Sequence, residues 1–184
     1  VNPEQAKYER LWGEFAGYRK VAPGELYADH FLSIVKPTPD QVVYDFGCGT
    51  GRGAAKIAEY CRVVGFDFAE NCRDAQVQGK FEFRQHDLTR PIDIPRADYG
   101  FCTDVLEHIP TEDVPAVLQN ILDAAKRVYL NISTVEDNFG AKIGEPLHLT
   151  VQPLAWWKGQ LEALGFRIMG SAELPTSCVF YGYK

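Results

Sequence analysis

Between Pro3 and Val35 apolar side chains recur at near-helical spacing, first Tyr8, Leu11, Trp12 and Phe15, then Leu26, Phe31 and Ile34. The pattern predicts two helices, divided at Pro23-Gly24. Beyond them the period shortens. Val42 to Phe46, Arg62 to Phe66, Phe81 to Gln85, Tyr99 to Thr103 and Arg127 to Ile132 read as short strands, with helical stretches near 52 to 60, 69 to 77 and 112 to 125 between them. Thr111, followed by Glu112 and Asp113, marks the start of the last of these helices. Strand alternating with helix implies right-handed crossovers and a parallel sheet, with ligands at the carboxyl ends of the strands. After residue 150, Pro153 to Leu164 predicts a helix stopped by Gly165, and Phe166 to Ala172 and Cys178 to Tyr183 predict two strands. The link Leu174-Pro175-Thr176-Ser177 is too short for a helical crossover, so this pair is expected to be antiparallel. The expected architecture is α/β: a doubly wound, seven-stranded, mostly parallel sheet with an antiparallel last strand. Residues 1–38 would form a helical lid and 39–184 the core of a single domain.

The first strand runs into Asp45-Phe46-Gly47-Cys48-Gly49-Thr50-Gly51. Glycines at alternate positions let the backbone take restricted φ/ψ values and bring a bulky ligand against bare N–H groups. Gly49-Thr50-Gly51-Arg52-Gly53-Ala54 also satisfies the looser dinucleotide fingerprint, so a nicotinamide-dependent oxidoreductase is a competing reading. Asp45 counts against it. A carboxylate there would repel a pyrophosphate but would favour the sulfonium and ammonium of S-adenosylmethionine. Asp67, with Phe68 beside it, ends the second strand some twenty residues on, where a carboxylate accepts from ribose hydroxyls. The alternative for Asp67 is an exposed helix cap.

Asp104-Val105-Leu106-Glu107-His108 leaves the fourth strand, bringing two carboxylates and an imidazole into one loop. Such a concentration of titratable groups is unusual for a mere connection. Together with the glycine loop, this segment resembles the class I S-adenosylmethionine-dependent methyltransferases, and the likeness runs from about Val42 to the C-terminus. The resemblance implies a Rossmann-like methyltransferase fold and S-adenosylmethionine held by Tyr18, Asp45, Gly47, Cys48, Gly49, Gly51, Asp67, Phe68, Asp87, Leu88 and Asp104. In that scheme Asp87 accepts from the adenine amino group, the Leu88 N–H meets the ring, and Tyr18 donates to the methionine carboxylate. Arg19 would pair with that carboxylate or with an anionic acceptor, unless it is simply solvated. Two family roles are open for the 104–108 segment. His108 would serve as a base oriented by Glu107. Alternatively Asp104, Glu107, His108 and His148 would hold Mg²⁺ or Mn²⁺, as related E-x-x-E-H enzymes do, among them RNA-end 2'-O-methyltransferases. Here Asp104 stands where that pattern has Glu, which shortens the reach. A purely structural reading, with Glu107 and His108 capping a helix and His148 pinning its loop, competes with both.

The formal charge of −6 and a pI near 5.2 argue against a broad footprint for duplex nucleic acid. Nothing matches the N/D-P-P-Y/F motif of enzymes that methylate exocyclic amines. A small or medium-sized methyl acceptor is therefore expected, oxygen before nitrogen, with a cofactor-sensing module that performs no turnover as the non-enzymatic alternative. The loop from Thr134 to Pro146, with Glu136, Asp137, Asn138 and Lys142, is expected to form a second wall of the acceptor pocket. Cysteines 48, 61, 72, 102 and 178 include no C-x-x-C pair, which suggests free thiols and a cytoplasmic location. No apolar run reaches the roughly 18 residues of a membrane span. Because the chain opens on Val1, it is read as a processed product or as part of a longer chain or complex.

Overall fold

A computed structural model describes residues 3–184. Two helices open the chain, α1 (Pro3–Glu14) and α2 (Pro23–Val35), followed by β1 (Val42–Phe46), α3 (Arg52–Ile57), β2 (Arg62–Asp67), β3 (Glu82–Gln85) and β4 (Ala97–Thr103). Then come α4 (Val114–Ala124), β5 (Ala125–Ser133), α5 (Leu154–Ala163), β6 (Arg167–Glu173) and β7 (Ser177–Tyr183). The sheet has seven strands in the order β3-β2-β1-β4-β5-β7-β6. β1 to β5 pair in parallel, and β7 runs antiparallel to both β5 and β6. After β3 the chain returns across the sheet to lay β4 beside β1, so the strand order reverses there. That switch point opens a crevice above the carboxyl ends of β1 and β4.

Both faces of the sheet are covered. On one, Phe46, Phe66, Leu130 and Phe180 pack beneath Val117, Leu118 and Ile121 of α4 and Trp157 and Leu161 of α5. On the other, Val43, Phe101 and Tyr129 meet Ala28 and Phe31 of α2 and Ala54 and Ile57 of α3. A third apolar group, Tyr8, Leu11, Ala69, Cys72 and Leu147, holds α1 over the crevice. α2 approaches α3 closely enough that a Cβ at Gly53 would lie 2.7 Å from the Gly24 carbonyl carbon.

Several expectations are corrected. No α-helix forms over 69 to 77; only a short 3₁₀ turn, Ala75–Val77, is present. The carbonyls of Asn71 and Cys72, which a helix would need as acceptors, are taken by the guanidinium of Arg19. Pro23-Gly24 does not separate the first two helices but opens α2, with Pro23 in the first turn, where its missing N–H costs nothing. The break falls earlier, around a 3₁₀ turn at Tyr18–Lys20. α3 is shorter than expected, and α4 begins at Val114 with Pro115 in its first turn. Thr111 is not its cap, because the Thr111 hydroxyl is bonded to that of Thr150 at 2.8 Å.

Candidate active site

Gly47, Gly49 and Gly51 all have positive φ, at 73°, 49° and 74°. A side chain at 47 would run into Val105. The N–H groups of this loop are not bare, contrary to the sequence-based expectation. Gly47 and Cys48 donate to the Phe66 carbonyl at 2.8 and 2.9 Å, Gly51 donates to that of Cys48, and Gly49 donates to Asp67 Oδ2 at 3.0 Å. With these donors used internally, the loop is poorly equipped for a phosphate, which needs N–H groups. Its remaining character is set by the carboxylates beneath it. Asp45, only 3% exposed, has its carboxyl pushed up to about 8 by burial and by the neighbouring charge of Asp67. Burial also lifts Asp67, to about 6, against the N–H groups of Ala69, Gly49 and Phe68 that stabilise its ionised form. Two buried carboxyls held above their ordinary range describe a site prepared for a cationic or hydroxyl-bearing ligand.

The loop floors a cavity of about 710 Å³. Tyr18, Asp45, Gly47, Cys48, Gly49, Asp67, Phe68, Asp87, Leu88, Asp104 and His108 all line it. Gly51 does not; it turns the chain into α3, packed against Phe81 and Val77. Asp87 accepts from both the N–H and the hydroxyl of Thr89 through Oδ1, an Asx turn that fixes the carboxylate beside Leu88 at the rim.

Asp104 takes φ 58°, a left-handed conformation that Asp tolerates better than most residues and that turns the chain sharply out of β4. Glu107, fully buried, accepts from the Ser133 N–H through Oε1 at 2.7 Å, while its Oε2 has no hydrogen-bond partner. Burial and the charge of Asp104 push the Glu107 carboxyl well above its usual range. His108 Nδ1 lies 2.9 Å from the Leu147 carbonyl and 2.7 Å from the Tyr8 hydroxyl. A carbonyl only accepts, so Nδ1 carries the proton and the lone pair sits on Nε2, 3.9 Å from Asp104 Oδ2. Burial opposes a charge on His108, but the facing Asp104 and Glu107 outweigh it and raise its pKa. His148 is oriented in the same way, its Nδ1 donating to the Val135 carbonyl at 2.6 Å. One donor atom from each of Asp104, Glu107, His108 and His148 lies within 4.8 Å of the others. Glu107 and His148 stand just behind the cavity wall; Asp104 and His108 face it.

The lid differs from expectation in two residues. Arg19 is not offered to a ligand: its guanidinium makes five hydrogen bonds, to the Trp12, Asn71 and Cys72 carbonyls and to Asp74. Tyr8 was read as one position of an apolar helix face, yet it reaches the cavity and meets His108. Nothing in a helical stripe distinguishes a tyrosine that packs from one whose hydroxyl is used. Tyr18, Trp12 and Phe139 form an aromatic cluster at the mouth, with ring centroids 4.7 and 5.1 Å from that of Tyr18. From the 134–146 loop, Asn138 and Lys142 line the cavity as expected. Asp137 turns inward, accepting from the N–H groups of Gly140, Leu147 and His148, and Glu136 also lies outside the lining.

A family described as methyltransferase domain matches residues 43–127, the stretch from the glycine loop to the fifth strand. Over that stretch the chain is similar to S-adenosylmethionine-dependent methyltransferases. Among proteins similar to this chain is the demethylsterigmatocystin 6-O-methyltransferase of Emericella nidulans, 22% identical over 132 residues, or 66% of this chain. The match spans 63% of that relative's length. The fold is shared with magnesium protoporphyrin IX methyltransferase from Synechocystis PCC 6803 with bound SAH (S-adenosylhomocysteine), at a TM-score of 0.69 and 21% identity, covering 100% of this chain and 95% of that one. It is shared as well with the DhpI-SAH complex, at a TM-score of 0.75 and 19% identity, covering 97% and 93%. Among the described residues no helix is long and apolar enough to cross a membrane.

Proposed function

We propose that this methyltransferase moves the sulfonium methyl of S-adenosylmethionine to a hydroxyl of a small or medium-sized acceptor. The reading is carried by one juxtaposition: the raised carboxyl of Asp45 on the glycine floor shares a cavity with the imidazole of His108, whose Nε2 lone pair faces the same space. In this reading Asp45 would lie under the cofactor's cationic end, Asp67 would accept from its ribose hydroxyls, and Asp87 and Leu88 would meet its adenine edge. Phe68, Gly47, Cys48 and Gly49 shape the floor, and Tyr18 closes the methionine end.

The acceptor oxygen attacks the methyl carbon in line with the breaking carbon–sulfur bond. The electron pair returns to sulfur, leaving a neutral thioether. The hydroxyl proton passes to Nε2 of His108, whose Nδ1–H is held by Leu147 and whose positive charge is stabilised by Asp104 and Glu107. The protein's remaining contribution is alignment and exclusion of water. A carboxylate-flanked imidazole suits an oxygen nucleophile, which must lose a proton, better than a thiolate or a neutral amine that attacks before losing one.

A second reading has its own observation. Both imidazoles donate their outer N–H to backbone carbonyls, and Glu107 Oε2 is buried without a partner, as in a ligand set with outer-shell support. The donor set fits a divalent cation of the Mg²⁺ or Mn²⁺ kind, which would lower the pKa of an acceptor hydroxyl. Transfer of a labelled methyl group to hydroxyl, amine and thiol acceptors, with and without chelator, tests both readings. Hydroxyl-selective transfer is expected, and His108→Ala should lower it by about 10²–10⁴-fold. Transfer confined to amines would reject the oxygen reading, and full activity in chelator would reject the cation.

A further inference from the structure

Beneath the glycine loop lies a second group of ligand-type side chains that the methyl-transfer reading does not use as a unit. Cys48, Asp67 and Cys72 are all buried, and one donor atom from each lies within 4.8 Å of the other two. Three separate elements bring them together: Cys48 from the loop after β1, Asp67 from the end of β2, and Cys72 from the irregular segment that replaces the expected helix. Arg19 fixes that segment through the Cys72 carbonyl at 2.7 Å, a bond that does not involve the thiol. Beside Cys48 the residue is Gly65, where a Cβ would stand 3.1 Å from the sulfur.

We propose that Cys48, Cys72 and Asp67 bind one thiophilic divalent cation, Zn²⁺ or Cd²⁺, and that this cation and the adenosyl cofactor exclude one another. Two sulfurs and one carboxylate oxygen form a soft donor set that selects zinc or cadmium over magnesium or calcium. Bonds of ~2.3 Å at a tetrahedral centre place two sulfurs about 3.8 Å apart, so the site closes by no more than about an ångström. Each thiol gives up its proton to solvent as its sulfur–metal bond forms, and a water from the cavity completes the coordination. In the absence of a cation, the hydrogen bond to Cys72 and burial keep the Cys48 thiol protonated; the metal supplies the charge that stabilises the thiolates. Exclusion of the cofactor rests on the placement of ribose hydroxyls on Asp67 given above, because Asp67 and Cys48 line the cavity. Cys72 does not line it, and therefore separates the two functions.

The test is a titration of the reduced protein with Cd²⁺, following the thiolate-to-cadmium ultraviolet charge-transfer band. Cation held by the Asp104–His148 cluster produces no such band. One equivalent is expected to bind with release of about two protons, and saturating S-adenosylhomocysteine should weaken it by roughly ten-fold or more. Cys72→Ser should lose the band while still binding S-adenosylhomocysteine in calorimetry, which also reports that the variant is folded. Cys61→Ser should retain the band. No band in the wild type, or an unchanged band in Cys72→Ser, overturns the site. A Cys72-dependent band indifferent to the adenosyl compound overturns the exclusion. Failure of the cofactor reading itself would appear separately, as absence of S-adenosylhomocysteine binding in metal-free protein.

Discussion

Asp45 is a buried carboxyl that desolvation and the neighbouring charge of Asp67 hold above its ordinary range. Its pKa is raised in the unliganded protein from 3.8 to about 8, so the stability it contributes is fully present below pH 3.8 and is lost as pH rises through about 8. A cation bound beside it reverses that loss. Affinity for S-adenosylmethionine should therefore rise with pH between 6 and 8, by up to about ten-fold per unit. S-adenosylhomocysteine, whose sulfur is neutral, should show a shallower slope, and Asp45→Asn should flatten both. Calorimetry at several pH values checks this, and equal slopes for the two ligands would reject the sulfonium contact. Tyr8→Phe should lower kcat by roughly five-fold, about 1 kcal/mol for one hydrogen bond, with KM for the cofactor unchanged; steady-state kinetics decide. At this scale the acids at strand ends were legible, since position after a strand is a sequence property. Tyr8 and the true use of Arg19 were not, because their partners at His108, Asn71 and Cys72 come from distant parts of the chain.

Among the elements, the glycine loop is the least tolerant of change. Gly47→Ala would place a side chain in the left-handed region and against Val105, and should destabilise the protein by about 2 kcal/mol or more. Urea unfolding measures it; a change below a few tenths would mean that the loop is not held as described. Strands β1, β2, β4 and β5 were readable because they are largely buried and mostly apolar, and the antiparallel final pair followed from a connection too short for a crossover. The segment after β2 was misread as helix. Local spacing cannot show that a guanidinium from the N-terminal region will take the carbonyls a helix needs.

For the molecule as a whole, the strand order puts the reversal between β1 and β4 directly under the cavity, so fold and site location are one geometric fact. S-adenosylhomocysteine at about one hundred times its dissociation constant should add roughly 2.7 kcal/mol to native stability. At this chain length that corresponds to a Tm increase of about 5–10 °C. NAD(H) at the same concentration should produce none, and equal shifts would restore the dinucleotide alternative. The topology was within reach of the sequence because it follows from element order and connection lengths. A lid from residues 1–38 was expected; that only α1 lies over the crevice while α2 packs on the sheet beside α3 was not legible, since it depends on tertiary docking rather than on any local period.

Helix α1 is fastened at its C-terminal end and along its middle. Arg19 pins the Trp12 end through two bonds, while the middle of the helix is held by Tyr8 to His108, by Asn71 donating to the Glu9 carbonyl and by Arg10 to Glu145. A swing about the Arg19 end that uncovers the crevice would break the Tyr8–His108 bond together with those of Glu9 and Arg10. If His108 serves as the base proposed above, lifting Tyr8 away would take a partner from its Nδ1 side, so uncovering the crevice and readiness of the imidazole would be linked.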